Sequence, residues 1–158
     1  PIDIFRKENE FYFITEFLQD FTTLEELTHL PINKKKQIIQ NIWKSVNILH
    51  NNNIIHSDLQ PRNIMVHPKT LKVRIIDFDN SLFIHHKNCR YYQNLFFLKY
   101  LNYTKEGMYT PNELKELELK YVLAVMYWFL FRSNELPKED FLKTIPSSSE
   151  IKKILNLS

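Results

Sequence analysis

The chain has 158 residues, a formal net charge of +3, one cysteine and a single glycine, Gly107. One glycine excludes the G-x-G-x-x-G dinucleotide loop and the G-x-x-x-x-G-K-[ST] phosphate loop, and one cysteine, Cys89, excludes an internal disulfide and an all-cysteine zinc site. A hydrophobic fraction of 44% with 25% charged residues fits a folded domain, and a charge this mild and dispersed argues against a nucleic-acid partner.

A first short strand is expected near Ile2–Phe5, with a turn at Lys7-Glu8-Asn9-Glu10. Residues 11–18 are β-branched and aromatic with few breakers, which predicts a strand apolar on both faces and therefore buried. Thr22-Thr23-Leu24-Glu25 has the spacing of a capping box and predicts a short helix opening at Thr22. Asn33 is placed to cap the next helix. The apolar set Ile38, Ile39, Ile42, Trp43, Val46 and Leu49 recurs every three or four residues and makes one buried stripe. Lys34-Lys35-Lys36 reads as the solvated start of that helix. Asn51 to Asn53 tolerate the left-handed backbone that ends helices.

The period then changes. Ile64-Met65-Val66 and Val73–Ile76 are short β-prone runs around the polar turn His67-Pro68-Lys69-Thr70, which predicts a hairpin. Residues 77–111 are mixed, with a helical stretch placed near 91–101. Glu113–Phe131 predicts a helix apolar almost all round, as befits the middle of a mainly helical domain. Pro137 closes it, and two short helices are expected beyond, the last from about Ser149. The fold class is α+β, mainly α.

The chemistry concentrates in Ile54-Ile55-His56-Ser57-Asp58-Leu59-Gln60-Pro61-Arg62-Asn63-Ile64-Met65 and in Ile75-Ile76-Asp77-Phe78-Asp79. A hairpin that folds 63–66 against 73–76 brings Asn63 near Asp77. A carboxamide and a carboxylate together suit Mg2+, a hard cation held by few protein oxygens together with phosphates and water. Asp58 is then left to orient a hydroxyl or take its proton.

These two segments resemble the catalytic core of the protein-kinase-like superfamily, whose template is H-R-D-L-x-x-x-N followed by D-F-G. The flanks agree. Phe13-Ile14-Thr15-Glu16-Phe17-Leu18 looks like the last small-lobe strand and hinge. Leu24–Leu27 looks like the first large-lobe helix, and 113–131 with Asn134-Glu135-Leu136-Pro137 like the central one. The resemblance covers residues 11–137. It implies an ATP- and Mg2+-dependent phosphotransferase acting on a protein or small-molecule hydroxyl. It implies Asp58 as catalytic base, with Gln60 where serine/threonine kinases carry lysine. Asn63 and Asp77 are implied as metal ligands, and His56 as packing under Phe78. For the adenine, it implies Met65 as the floor, the Glu16 and Leu18 backbone as the hinge contacts, and Thr15 at the entrance to the back pocket.

Several positions depart from the template. Ser57 replaces the arginine that binds a phosphorylated activation loop, and Asp79 replaces the glycine of D-F-G. Both changes resemble aminoglycoside and choline kinases, which makes a small-molecule kinase the alternative. Thr110-Pro111-Asn112 is the nearest approach to A-P-E, and the usual aspartate at the start of the central helix is missing or replaced by Glu118. The Gly-rich loop, lysine and glutamate of a small lobe have no counterpart here; Lys7 is misplaced for that lysine. The expected division is therefore a remnant of small lobe and hinge at 1–18 and a large lobe at 19–158, from a parent chain whose small lobe is missing here. Such a chain is expected to be weak or inactive alone, and a non-catalytic pseudokinase module is the third reading. The absence of a long apolar run or signal peptide predicts a soluble cytoplasmic protein without a membrane partner.

Overall fold

The computed structural model describes residues 3–7, 10–84, 109–131 and 146–157. Seven short strands and three α-helices form within them. β1 (Asp3–Lys7) and β2 (Glu10–Ile14) pair antiparallel, Asp3 opposite Ile14 and Lys7 opposite Glu10. β2 ends at Ile14, earlier than the strand expected to run to Leu18. Thr15, Glu16 and Phe17 are exposed, the last 87% so, and Leu18 is half-buried. The reason is a tight turn. Gln19 N–H donates to Phe17 O, Phe21 N–H donates to Leu18 O, and Asp20 adopts φ 63°, so the chain leaves the sheet.

β3 (Thr22–Thr23) joins the edge of a second sheet, followed by a 3-10 turn at Leu24–Leu27. The capping box expected from Thr22 and Glu25 does not form. Thr22 and Thr23 are instead paired with Val66 and Met65, and Thr23, at the cap position, makes no side-chain cap bond. Asn33 is likewise not the cap of α1 (Ile32–Asn51). Pro31 holds that position, and Asn33 Oδ1 accepts only from the N–H of Lys34. Proline suits this end of a helix, where amide hydrogens have no intrahelical partner.

The expected stripe of α1 is buried from Ile38 to Val46, with Leu49 half-buried. Each fully buried isoleucine or valine there stabilises by roughly 1.5–3 kcal/mol. Lys34 and Lys36 are solvated, but Lys35 is buried, its ammonium 5.2 Å from the Phe129 ring centre, and burial lowers its pKa. The helix ends at the asparagines as expected, with Asn53 left-handed at φ 58°.

β4 (Ile54–Ile55) follows, then a 3-10 turn at Pro61–Asn63 and the hairpin of β5 (Ile64–Val66) and β6 (Val73–Ile75). Ile64 lies opposite Ile75 and Val66 opposite Val73, in a three-stranded sheet ordered β3-β5-β6. The turn is anchored to α1 by Asn41 Nδ2 donating to Leu71 O at 2.9 Å. β7 (Leu82–Phe83) pairs with β4. α2 (Pro111–Phe131) is buried on nearly every side, with Trp128, Phe129, Leu114 and Leu123 all but fully enclosed. It packs against α1 and against α3 (Ser148–Leu155). The architecture is α+β and mainly helical, as expected. The stretch near 91–101, Cys89, Pro137 and the first of the two short late helices lie outside the described residues. No helix among the described residues is long and apolar enough to cross a membrane.

Candidate active site

The loop from His56 to Asn63 leaves β4 and returns as β5, and its interior is closed by its own side chains. Asn63 Nδ2 donates to Asp58 O at 2.9 Å and to Asp58 Oδ2 at 3.1 Å. Gln60 Nε2 donates to the same Oδ2 at 2.9 Å. Asp58, Gln60 and Asn63 are thus brought together. Asp58 is 6% exposed, and its other oxygen, Oδ1, is buried with no hydrogen-bond partner. A buried polar atom without a partner is costly and rare in folded proteins. Burial holds the Asp58 carboxyl above the ordinary carboxylate range, and the charge of Asp77 pushes the same way. The Gln60 hydrogen bond and the charges of Arg62 and His56 oppose it.

Asp77 reaches the site from the other side of the hairpin. Ile76 N–H donates to Asn63 O at 3.0 Å, so the chain entering Asp77 is held against the chain leaving the loop. Asp77 is left-handed at φ 64° and exposed. Its carboxylate makes no hydrogen bond or ion pair among the described residues, and neither does Asn63 Oδ1. Two free hard oxygen donors on adjoining strand ends fit Mg2+. No group of three or more His, Cys, Asp or Glu among the described residues could hold a metal unaided. A metal held here needs ligand from phosphate and water, which is how Mg2+ is commonly bound.

His56 is fully buried and joins the two halves. Its Nε2–H donates to Ile76 O at 2.9 Å, its Nδ1 accepts from Asp58 N–H at 3.3 Å, and its ring meets the Phe78 ring edge-on at 4.6 Å. The packing expected between His56 and Phe78 is present. Behind the loop stands Glu118 of α2, with no exposed surface. Its Oε1 accepts from Ser57 N–H and its Oε2 from His50 Nε2–H, each at 2.7 Å. A buried carboxylate requires such partners, and it fixes the backbone where Ser57 turns left-handed at φ 71°. Sequence reasoning saw Glu118 only as a substitution and missed its reach to Ser57. The one signal was an acid amid apolar neighbours.

The remaining expected residues lie around the sheet. Met65, half-buried, sits on the middle strand between Thr23 and Arg74. Glu16 faces Arg74 across 4.0 Å, both well exposed, which places the segment after β2 beside the hairpin. An exposed pair at that separation contributes little energy. The Glu16 carbonyl and Leu18 amide take part in no backbone hydrogen bond among the described residues. Thr15 is exposed in the same segment and touches none of the loop residues by a hydrogen bond. Thr110-Pro111-Asn112 serves a different purpose from A-P-E. Thr110 Oγ1 accepts from Glu113 N–H at 3.2 Å and Glu113 Oε2 accepts from Thr110 N–H at 2.7 Å, a capping box with proline at the first helical position of α2.

The chain is similar in sequence to known protein kinases. The serine/threonine-protein kinase TIO of Arabidopsis thaliana is 35% identical over 79 residues, 49% of this chain and 6% of that protein. Serine/threonine-protein kinase D of Synechocystis is 30% identical over 74 residues, 47% of this chain and 14% of that protein. The striated muscle preferentially expressed protein kinase of Danio rerio is 34% identical over 83 residues, 51% of this chain and 3% of that protein. The chain thus spans a small part of the relatives it matches. The sequence model described as the protein kinase domain matches residues 1–127, four fifths of the chain, and the chain belongs to the protein kinase domain family.

Proposed function

We propose that this chain carries the catalytic loop of an ATP-dependent phosphotransferase that phosphorylates hydroxyl groups, those of serine or threonine in a protein substrate. The observation that carries the reading is Asp58 Oδ1. It is buried, unpartnered, and adjoins an asparagine and an aspartate that each keep a free oxygen. Such a base accepts the hydroxyl proton as the acceptor oxygen bonds to the γ-phosphorus of ATP and the bond from that phosphorus to the bridging oxygen breaks, releasing ADP. Asn63 Oδ1 and the Asp77 carboxylate hold Mg2+. ATP supplies the phosphoryl group, and the metal compensates its charge. Gln60 keeps Asp58 Oδ2 engaged, so that Oδ1 is the oxygen left for the substrate. The Glu16 carbonyl and Leu18 amide take the adenine edge over Met65, with Thr15 beside them. Residues 1–18 act as the hinge and a remnant of small lobe, and 19–158 as the large lobe.

In the full-length protein, Asp58→Asn should abolish Mg-ATP-dependent phosphate transfer, as read by incorporation of radiolabelled phosphate. Unchanged incorporation sinks the reading. The similarity to serine/threonine-protein kinases supports a protein acceptor. A panel that includes choline, aminosugars and a generic protein substrate separates that acceptor from a small molecule.

A further inference from the structure

The His56–Ser57 peptide is held at both of its polar atoms by residues far away in sequence. Its N–H, on Ser57, donates to Glu118 Oε1 at 2.7 Å. Its carbonyl, on His56, accepts from Ser81 Oγ at 3.3 Å. The register explains the second bond. Ile54 lies opposite Phe83 and Ile55 opposite Leu82, so the next pair along the ladder is His56 and Ser81. There the serine hydroxyl makes the cross-strand bond. Ser81 also closes the turn from Phe78 to Ser81 that directly follows Asp77, because its N–H donates to Phe78 O at 2.9 Å. One half-buried serine therefore ties the turn next to the proposed metal ligand to the peptide that precedes the proposed base.

We infer that Ser81 is a positioning residue for phosphoryl transfer, holding the His56–Ser57 peptide in the orientation that points Asp58 into the site. The inference rests on the phosphotransferase reading and extends it to a residue outside both motifs. The need for a strap is local. Ser57 is a left-handed residue with a Cβ at φ 71°, a backbone region that side-chain-bearing residues occupy only when neighbours enforce it. Glu118 fixes one atom of the peptide, and a plane held at one atom can still rotate. With the carbonyl released, Asp58 loses one restraint on its direction relative to Asp77 and keeps only those from Asn63, Gln60 and the His56 ring. The hydroxyl is what matters here, because a side chain of equal bulk without it fills the space and makes no bond.

The test compares Ser81→Thr with Ser81→Val in the full-length protein, a pair equal in shape that differs in the hydroxyl, with Asp58→Asn as the control for the reading itself. Ser81→Thr should keep kcat near wild type. Ser81→Val should lower kcat about tenfold, the size of one net hydrogen bond, and the melting temperature by about 2–4 °C, while KM for the nucleotide moves less than about twofold. In the nucleotide-free protein, amide exchange over residues 54–60 should quicken in Ser81→Val and not in Ser81→Thr. Equal kcat and equal exchange in the two variants overturn the inference, whatever their stability. An active Asp58→Asn instead overturns the phosphotransferase reading, and the exchange comparison still decides whether Ser81 fixes the peptide.

Discussion

Glu118 Oε1 accepts a hydrogen bond from the N–H of Ser57 at 2.7 Å, across sixty-one positions of sequence and from a position of α2 with no exposed surface. The second oxygen is satisfied by His50 near the end of α1. One carboxylate thus joins two helices to the loop from His56 to Asn63. Removing it in Glu118→Ala leaves a buried amide and a buried imidazole without partners. The expected cost is about 3 kcal/mol, which lowers the melting temperature by roughly 6–12 °C. Glu118→Gln keeps an acceptor for Ser57 and should lose clearly less. Thermal unfolding followed by circular dichroism checks the order, and equal losses in the two variants would contradict this account.

Asp58 shows the opposite balance. Burial raises its pKa, so the folded state binds the proton more tightly than the unfolded state does. By linkage, the stability this group supplies is lost as pH rises through its ordinary pKa toward the raised one. Asp58→Asn should therefore melt higher than wild type at pH 7 and lose that advantage as pH falls below the ordinary carboxylate range. Melting curves of both proteins across pH 3 to 8 test the sign. An advantage that grows toward low pH would refute it.

The two T-x-x-E segments separate what was legible in the sequence from what was not. Thr110 caps α2, whereas Thr22, with the same spacing to Glu25, caps nothing because β5 claims it as a strand partner. The T-x-x-E spacing is the same in both; the proline after Thr110 favours a helix start there, and strand pairing takes Thr22. The same contrast holds elsewhere. The α1 stripe, the hairpin and the Asp58-Asn63-Asp77 set follow from period and spacing. The bonds of Glu118 and Ser81 depend on which elements meet, and no spacing encodes that. Thr110→Ala should cost about 1 kcal/mol and lower the melting temperature by roughly 2–4 °C. Glu25→Ala, on an exposed 3-10 turn, should change stability by less than about 0.5 kcal/mol. Parallel melts of the two variants settle the comparison.

Asp77 distinguishes a nucleotide-binding site from an inherited scaffold. Its carboxylate is exposed and free, and it sits left-handed at φ 64°, a conformation that aspartate adopts more readily than most residues but still at some cost. A surface side chain with no partner can be removed at little expense beyond the backbone cost of placing alanine at a left-handed position, so Asp77→Ala should lower the melting temperature of the nucleotide-free protein by no more than about 4 °C. Its larger effect should appear with ligand. Full-length protein is expected to melt higher with Mg-ATP, and that shift should vanish when Mg2+ is chelated and in Asp77→Ala. The reason is mass action: a ligand stabilises only the state that binds it, and without the carboxylate the metal loses one of its two protein oxygens. A shift of equal size in Asp77→Ala, or one indifferent to chelation, would mean that nucleotide is held by some other part of the protein. Asp77 would then be a relic of the family pattern, and the pseudokinase reading would take precedence over catalysis.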